Sequence, residues 1–200
     1  SEKPAELAGV FLRKAEILSD VEERKDYLLR AAEIFETLLE RPQDAIAAYT
    51  RITEIDDTDV PSLDALVRLF ITHERWAELL GVYVKKADLV VEPDEKKQIF
   101  FDMATVYEGQ LSDPVNAIAA YNKVLELDPA DVTAIERLDH LYQVQGSWTE
   151  LLGVLEREAD LASDPASVIE FRYRIAQLNE THLDGTARAV DIYRDILESS

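Results

Sequence analysis

Apolar residues return at i, i+3, i+4 and i+7 along the whole chain, as in Leu63, Leu66, Val67 and Phe70 and again in Leu151, Val154 and Leu155. That is the period of a helix with one buried face. No stretch alternates apolar and polar residues between Asn-Gly or Gly-rich turns, so the pattern calls for no strands. The seven prolines, at 4, 42, 61, 93, 114, 129 and 165, each stand at the start of a periodic stretch. A residue without an N–H costs nothing there, because first-turn donors have no intrahelical acceptor. Periodicity and punctuation together predict eleven helices, over 3–18, 22–40, 42–55, 59–74, 76–91, 94–111, 114–127, 131–145, 147–163, 166–183 and 186–199. Connectors of a few residues make neighbours antiparallel hairpins. Asp59, Asp131 and Ser147 are placed to cap helix starts. Gly146 and Gly185 follow helix ends, where glycine most easily turns left-handed.

The pattern also repeats. Sliding the sequence along itself until Glu6 meets Glu78, and again until it meets Glu150, aligns Glu6-Leu7-x-Gly9-Val10 with Glu78-Leu79-x-Gly81-Val82 and Glu150-Leu151-x-Gly153-Val154. The register holds without a gap through Ala15, Ala87 and Ala159; Ala32, Ala104 and Ala176; Leu39, Leu111 and Leu183; and Ala45, Ala117 and Ala189. Trp76 and Trp148 share it too. The chain is therefore one repeat array over 1–200, about 2.8 copies long, running 6–77, 78–149 and a partial 150–200. One large residue recurs on the second helix of each hairpin, as Phe11, Tyr49, Tyr83, Tyr121, Leu155 and Tyr193, with spacings that alternate between 38 and 34. Each half-repeat is thus one hairpin. Gly9, Gly81 and Gly153 fall mid-helix, where glycine costs about 1 kcal/mol against alanine, and their recurrence predicts close helix-to-helix approach. The chain opens on an unpaired second-type helix and stops at Ile196-Leu197-Glu198, from which we expect a fragment of a longer array whose cut ends could self-associate.

A spacing of 34 with Ala45-x-x-x-Tyr49, Ala117-x-x-x-Tyr121 and Ala189-x-x-x-Tyr193 on the second helices resembles the tetratricopeptide repeat (TPR) family. Leu125-Glu126-Leu127-Asp128-Pro129 is similar to that family's helix-ending proline, and Leu138-x-x-x-Tyr142 and Met103-Ala104-x-x-Tyr107 to its Leu-Gly-x-x-Tyr element. There are departures. Ala32, Ala104 and Ala176 replace the family glycine in the longer half-repeats, Val67 and Asp139 replace it in the shorter ones, Asp57 stands where Pro129 is expected, and every second half-repeat has four extra residues. The resemblance implies an all-α fold, a right-handed α-solenoid of antiparallel helix hairpins wound as a TPR-like superhelix. It also implies a protein–protein interaction scaffold, in which first helices line a concave groove for a partner peptide or helix.

Charge narrows the partners. Lys and Arg number 21 against 41 Asp and Glu, a net charge of -20, so the basic face that nucleic acid requires is missing. A chain without cysteine has no disulfide and no thiolate metal ligand. No apolar run approaches the roughly 18 residues of a membrane span. We expect a soluble chain, with the cytoplasm favoured. His73, His140 and His182 fall at inequivalent places in the repeat, and no His-Glu-x-x-His occurs. Asp56-Asp57-Thr58-Asp59 lacks the central glycine and terminal glutamate of a calcium loop and reads as a helix stop and cap. Neither a phosphate loop nor a Gly-x-Ser-x-Gly elbow is present. The expectation is a chain that is not an enzyme, with no cofactor and no metal. Trp76 and Trp148 read as inter-hairpin core or rim.

On the long first helices the packing stripe is predicted as Phe100, Met103, Ala104 and Tyr107, with Ala176 as a counterpart. Phe101 and Tyr173 fall about 100° away from it, either as groove anchors or as the edge of a wide stripe. Gln98, Thr105, Glu108, Gln177, Glu180, Arg68 and His140 would surround them in a groove. The Lys, Arg and Asn cluster with which some family members grip a terminal carboxylate is not found on these helices, so a basic or amphipathic partner suits the charge better. An architectural spacer, or a regulatory segment joined to a domain outside this stretch, is the other reading. Deleting 78–149, one whole repeat, is expected to leave a shorter folded helical rod, and deleting 78–127 is not. Circular dichroism on the two deletions, compared for helicity per residue and cooperativity of melting, checks the repeat.

Overall fold

Proline, aspartate and left-handed residues cut the chain where the periodicity requires. The structure, a computed structural model, describes residues 2–199, and over them the chain forms eleven helices and no strand. These are α1 (Glu2–Ile17), α2 (Val21–Glu33), α3 (Pro42–Ile55), α4 (Val60–Thr72), α5 (Trp76–Leu89) and α6 (Pro93–Thr105), then α7 (Pro114–Leu127), α8 (Val132–Gln145), α9 (Trp148–Leu161), α10 (Pro165–Thr181) and α11 (Thr186–Ser199). α2 and α6 each run on into a π-helical turn, Ile34–Leu38 and Val106–Gln110, at equivalent places in successive repeats. The fold is all-α, as the pattern predicts. Two units, Ser1–Ile99 and Phe100–Ser200, divide inside α6. In the first, α1 packs on α2, α2 on α3, α3 on α4 and α4 on α5; in the second, α7 packs on α8, α8 on α9, α9 on α10 and α10 on α11. Packing between chain neighbours is the organisation of a solenoid.

Helix starts are capped by aspartate. Asp20, Asp59, Asp113, Asp131 and Asp164 accept from the backbone N–H of Glu23, Ser62, Asn116, Ala134 and Ser167, at 2.9 to 3.1 Å. Each satisfies one donor that has no partner within its helix. Ser147 sits at the start of α9, but its side chain makes no capping bond. The turn before it is closed by backbone instead, with the Ser147 N–H donating to the Tyr142 carbonyl at 3.0 Å.

Helix ends use left-handed backbone at repeat-equivalent positions: Glu40, Ser112 and Asp184 in the longer half-repeats, Glu74 and Gly146 in the shorter ones. After the first three, the N–H of Arg41, Asp113 and Gly185 donates to the carbonyl of Phe35, Tyr107 and Asn179, each at 2.8 Å. Gly146 is left-handed, as expected. At the other predicted glycine the left-handed residue is Asp184, and Gly185 is needed for space: a Cβ there would lie 2.5 Å from Asn179 Oδ1.

Two further expectations are corrected. A Cβ added at Gly9, Gly81 or Gly153 would meet no atom within 4 Å, so these glycines mark no close helix approach. The positions shut from solvent are alanines: Ala32, Ala45, Ala104, Ala117 and Ala176 are 0% exposed and Ala189 1%. The tight packing lies at the small residues of the core stripe, whereas the glycines point off it. On α6 the buried residues are Ile99, Met103 and Ala104, followed by Val106, while Phe100 and Tyr107 are only half-buried. The π-helical turn that opens at Val106 rotates the residues after it, which turns Tyr107 partly out of the stripe.

Gly153→Ala is expected to stabilise the protein by up to about 1 kcal/mol, and Gly185→Ala to destabilise it by about 1–3 kcal/mol. Urea denaturation of the two variants checks both signs.

Candidate functional site

The first helices of the hairpins carry a repeated polar device. In the first unit, Glu36 in the π-helical turn after α2 accepts from the Tyr49 hydroxyl of α3 at 3.2 Å and pairs with Arg68 of α4. In the second unit, Glu108 in the turn after α6 accepts from the Tyr121 hydroxyl of α7 at 2.9 Å and faces Arg137 of α8 at 3.6 Å. Glu180 of α10 accepts from the Tyr193 hydroxyl of α11 at 3.2 Å. Each glutamate lies 13 residues before its tyrosine. A hydroxyl donating to a carboxylate is a charge-assisted bond, stronger than one between neutral groups. Burial, reinforced by the adjacent glutamate, pushes Tyr49 and Tyr121 up to about 12. The hydrogen bond from Arg68 holds the Glu36 carboxyl below its usual range.

Aromatic pairs sit beside two of these bonds. The Phe101 ring meets Tyr121 edge-on at 6.0 Å, and Tyr173 packs against Tyr193 at 5.8 Å with a 53° tilt. Edge contact of this kind places the positive rim of one ring on the negative face of the other. Phe101 is half-buried, and Tyr173 leaves 49% of its surface exposed.

The residues singled out from the sequence divide between the two units. Arg68 and Gln98 belong to the first; Phe101, Thr105, Glu108, His140, Tyr173, Gln177 and Glu180 belong to the second. Within the second unit the fold joins Phe101 to Glu108 through Tyr121, and Tyr173 to Glu180 through Tyr193. Thr105 turns its hydroxyl back onto the Phe101 carbonyl at 3.0 Å. His140 is exposed on α8. Gln177 lines a cleft of about 290 Å³ beside Arg174, whose wall is the Trp148 indole stacked on His182 at 3.9 Å. Trp148 is half-buried there, covering Leu151, Leu155, Ile175 and Leu178. Arg68 meets Glu36, which the sequence reasoning did not single out. The signal was available, since Glu36, Glu108 and Glu180 hold the same place in successive repeats.

Arg137 and Arg174 were also missed, and their repeat counterparts are Ala65 and Asp102, so no recurrence marks them. Arg174 of α10 donates to Asp139 of α8 at 2.7 Å and lies 3.9 Å from Glu158 of α9. Glu158 is buried and its Oε2 has no hydrogen-bond partner. Burial pushes its carboxyl up to about 7, Asp139 and Glu136 add to the rise, and Arg174 opposes it. Among the described residues, no three or more His, Asp or Glu side chains are grouped to hold a metal ion, and no helix is long and apolar enough to cross a membrane.

No protein-family model and no curated protein matches the chain. Solved structures do. The chain is similar to YrrB, described as a TPR protein with an unusual peptide-binding site, at 17% identity over 96% of this chain and 92% of that one, with a TM-score of 0.46. It is similar to PilF of Pseudomonas aeruginosa at 15% identity, over 96% of this chain and 93% of that one, with a TM-score of 0.45. A chain of the Naa15/Naa10 complex bound to HypK-THB matches 98% of this chain with 34% of its own length, at 15% identity and a TM-score of 0.57. With hairpins that pack neighbour on neighbour and a Tyr–Glu bond recurring in every repeat, the chain is a TPR-like helical-repeat protein with an all-α solenoid fold.

Proposed function

We propose that the chain is a non-enzymatic interaction scaffold that takes a partner peptide or helix against the first-helix face of its second unit. The observation that carries this reading is an aromatic pair, half-buried at Phe101 and exposed at Tyr173. Phe101 and Tyr173 occupy equivalent repeat positions, each braced by a tyrosine whose hydroxyl is fixed on a glutamate. Two anchored rings offer large apolar area at little cost in side-chain entropy, which is what a binding hot spot needs. Thr105, Gln177 and His140 are exposed on the same set of helices. The acidic balance of the chain favours a basic or amphipathic partner, with charge acting more on association rate than on final affinity.

A second reading, an architectural spacer or regulatory segment, draws on one specific observation. Arg68, Glu108 and Glu180 already spend their hydrogen bonds inside the chain, on Glu36, Tyr121 and Tyr193. Such bonds stiffen hairpins without any ligand.

An array of basic peptides is expected to yield binders whose affinity falls with salt and drops roughly tenfold with Phe101→Ala or Tyr173→Ala, equivalent to about 1.4 kcal/mol. Binders indifferent to both substitutions would remove the aromatic face from the account. Failure of every basic peptide on a folded chain would favour the spacer.

A further inference from the structure

Glu158 is a buried acid without a full set of partners. It lines a cleft of about 220 Å³ between α8, α9 and the start of α10, with apolar walls from Ile135, Leu161 and Phe171 and two further carboxylates, Glu136 and Asp164. The Glu158 side chain is 8% exposed. Its only nearby cation among the described residues is the Arg174 guanidinium at 3.9 Å, which is committed to Asp139 at 2.7 Å. A desolvated carboxylate is tolerated when a cation or hydrogen-bond donors meet it, and Oε2 has no such donor.

The repeat shows what chemistry belongs at this place. One repeat earlier, the positions of Glu158 and Glu136 are held by Lys86 and Asp64. There the Lys86 ammonium donates to Asp64 at 2.5 Å, with most of the lysine side chain out of solvent. The first unit thus supplies an ammonium from its own chain to the acid of its shorter hairpin. In the second unit the acid is kept as Glu136 and the lysine is exchanged for another acid. The exchange leaves two carboxylates beside an apolar slot, and the cation that the chain supplies in return, Arg174 in place of Asp102, is bonded to Asp139 at 2.7 Å and stands 3.9 Å from Glu158.

We propose that the α8–α9–α10 cleft receives a lysine side chain of a partner protein, with its ammonium on Glu158 and Glu136 and its methylene stem against Ile135, Leu161 and Phe171. Lysine fits better than arginine because a compact ammonium is what the equivalent place of the first unit holds, and its three donors can serve two carboxylates at once. The stem lies along apolar surface as lysine stems commonly do. Neither Phe101 nor Tyr173 lines this cleft.

The surrounding charges give the site a pH dependence. Glu136 and Asp139 approach from α8, Arg174 from α10 and Asp164 from the turn between α9 and α10. Asp164 is held ionised by hydrogen bonds from Ser167, whereas Glu158 still carries much of its proton near neutrality. An ammonium binds the ionised carboxylate, so affinity should rise as pH passes upward through about 7.

The test is a titration of the full chain with N-acetyl-lysine methylamide, followed by ¹H–¹⁵N NMR at pH 6 and pH 8, with the norleucine analogue as the uncharged isostere. Shifts are expected around Ile135, Leu161 and Phe171, at least tenfold weaker for norleucine, weaker at pH 6 than at pH 8, and unchanged by Phe101→Ala. Glu158→Gln should weaken lysine binding at least tenfold. Glu158→Lys should rebuild the pairing of the first unit with Glu136, raise the unfolding midpoint and abolish the shifts. Equal binding of norleucine and lysine, no cleft shifts at pH 8, or full binding by Glu158→Gln would each overturn the proposal, whatever the behaviour of Glu158→Lys.

Discussion

Within each unit the helices bury their apolar faces against helices next to them in sequence, as a hairpin repeat requires. That constraint makes the turns decisive. A turn that opened by one residue would rotate the following helix and expose its stripe. The chain closes its long first helices the same way each time: a left-handed residue at Glu40, Ser112 or Asp184, and the next N–H returned to a carbonyl six residues back. Alanines with no exposed surface then let neighbouring helices approach, and the large aliphatic side chains fill what remains.

The polar bonds between hairpin elements follow from that geometry. A tyrosine on the second helix reaches the glutamate near the end of the first, and where an arginine on the next first helix is in range it joins the same carboxylate. These contacts bring polar atoms into half-buried places with their partners already in position, which limits the cost of burial. They also govern what the surface can offer. The carboxylates of Glu36 and Glu108 are committed within the chain, to Tyr49 and Arg68 and to Tyr121.

The two units diverge where the repeat is relaxed. Lys86 and Asp64 give way to Glu158 and Glu136, and the Glu36–Arg68 pair is matched by Glu108 with an arginine from another register, Arg137. At the third copy the π-helical turn is lost. Asn179 stands where Phe35 and Tyr107 stood, bonding the Ile175 carbonyl at 2.8 Å and pressing against Gly185. A repeat preserves the fold through its small and apolar positions, and it leaves the polar positions open to acquire separate roles.

Helix number, helix boundaries and the all-α class were legible in the sequence, because periodicity, proline and capping aspartates are local signals that need no knowledge of neighbours. The alanine positions were legible for a related reason, since recurrence from one repeat to the next reports a shared packing demand. Recurrence could not say which demand. Gly9, Gly81 and Gly153 recur as faithfully as the alanines and yet leave room for a Cβ, while Gly185 does not recur and has no such room beside Asn179. Nor could it reveal the ion pairs between first helices or the burial of Glu158, which depend on how far each hairpin turns against the next. Local sequence determined where the helices begin and end; tertiary packing alone decided which charges meet, because the distance between two side chains from different helices is set by the backbone between them and not by either residue.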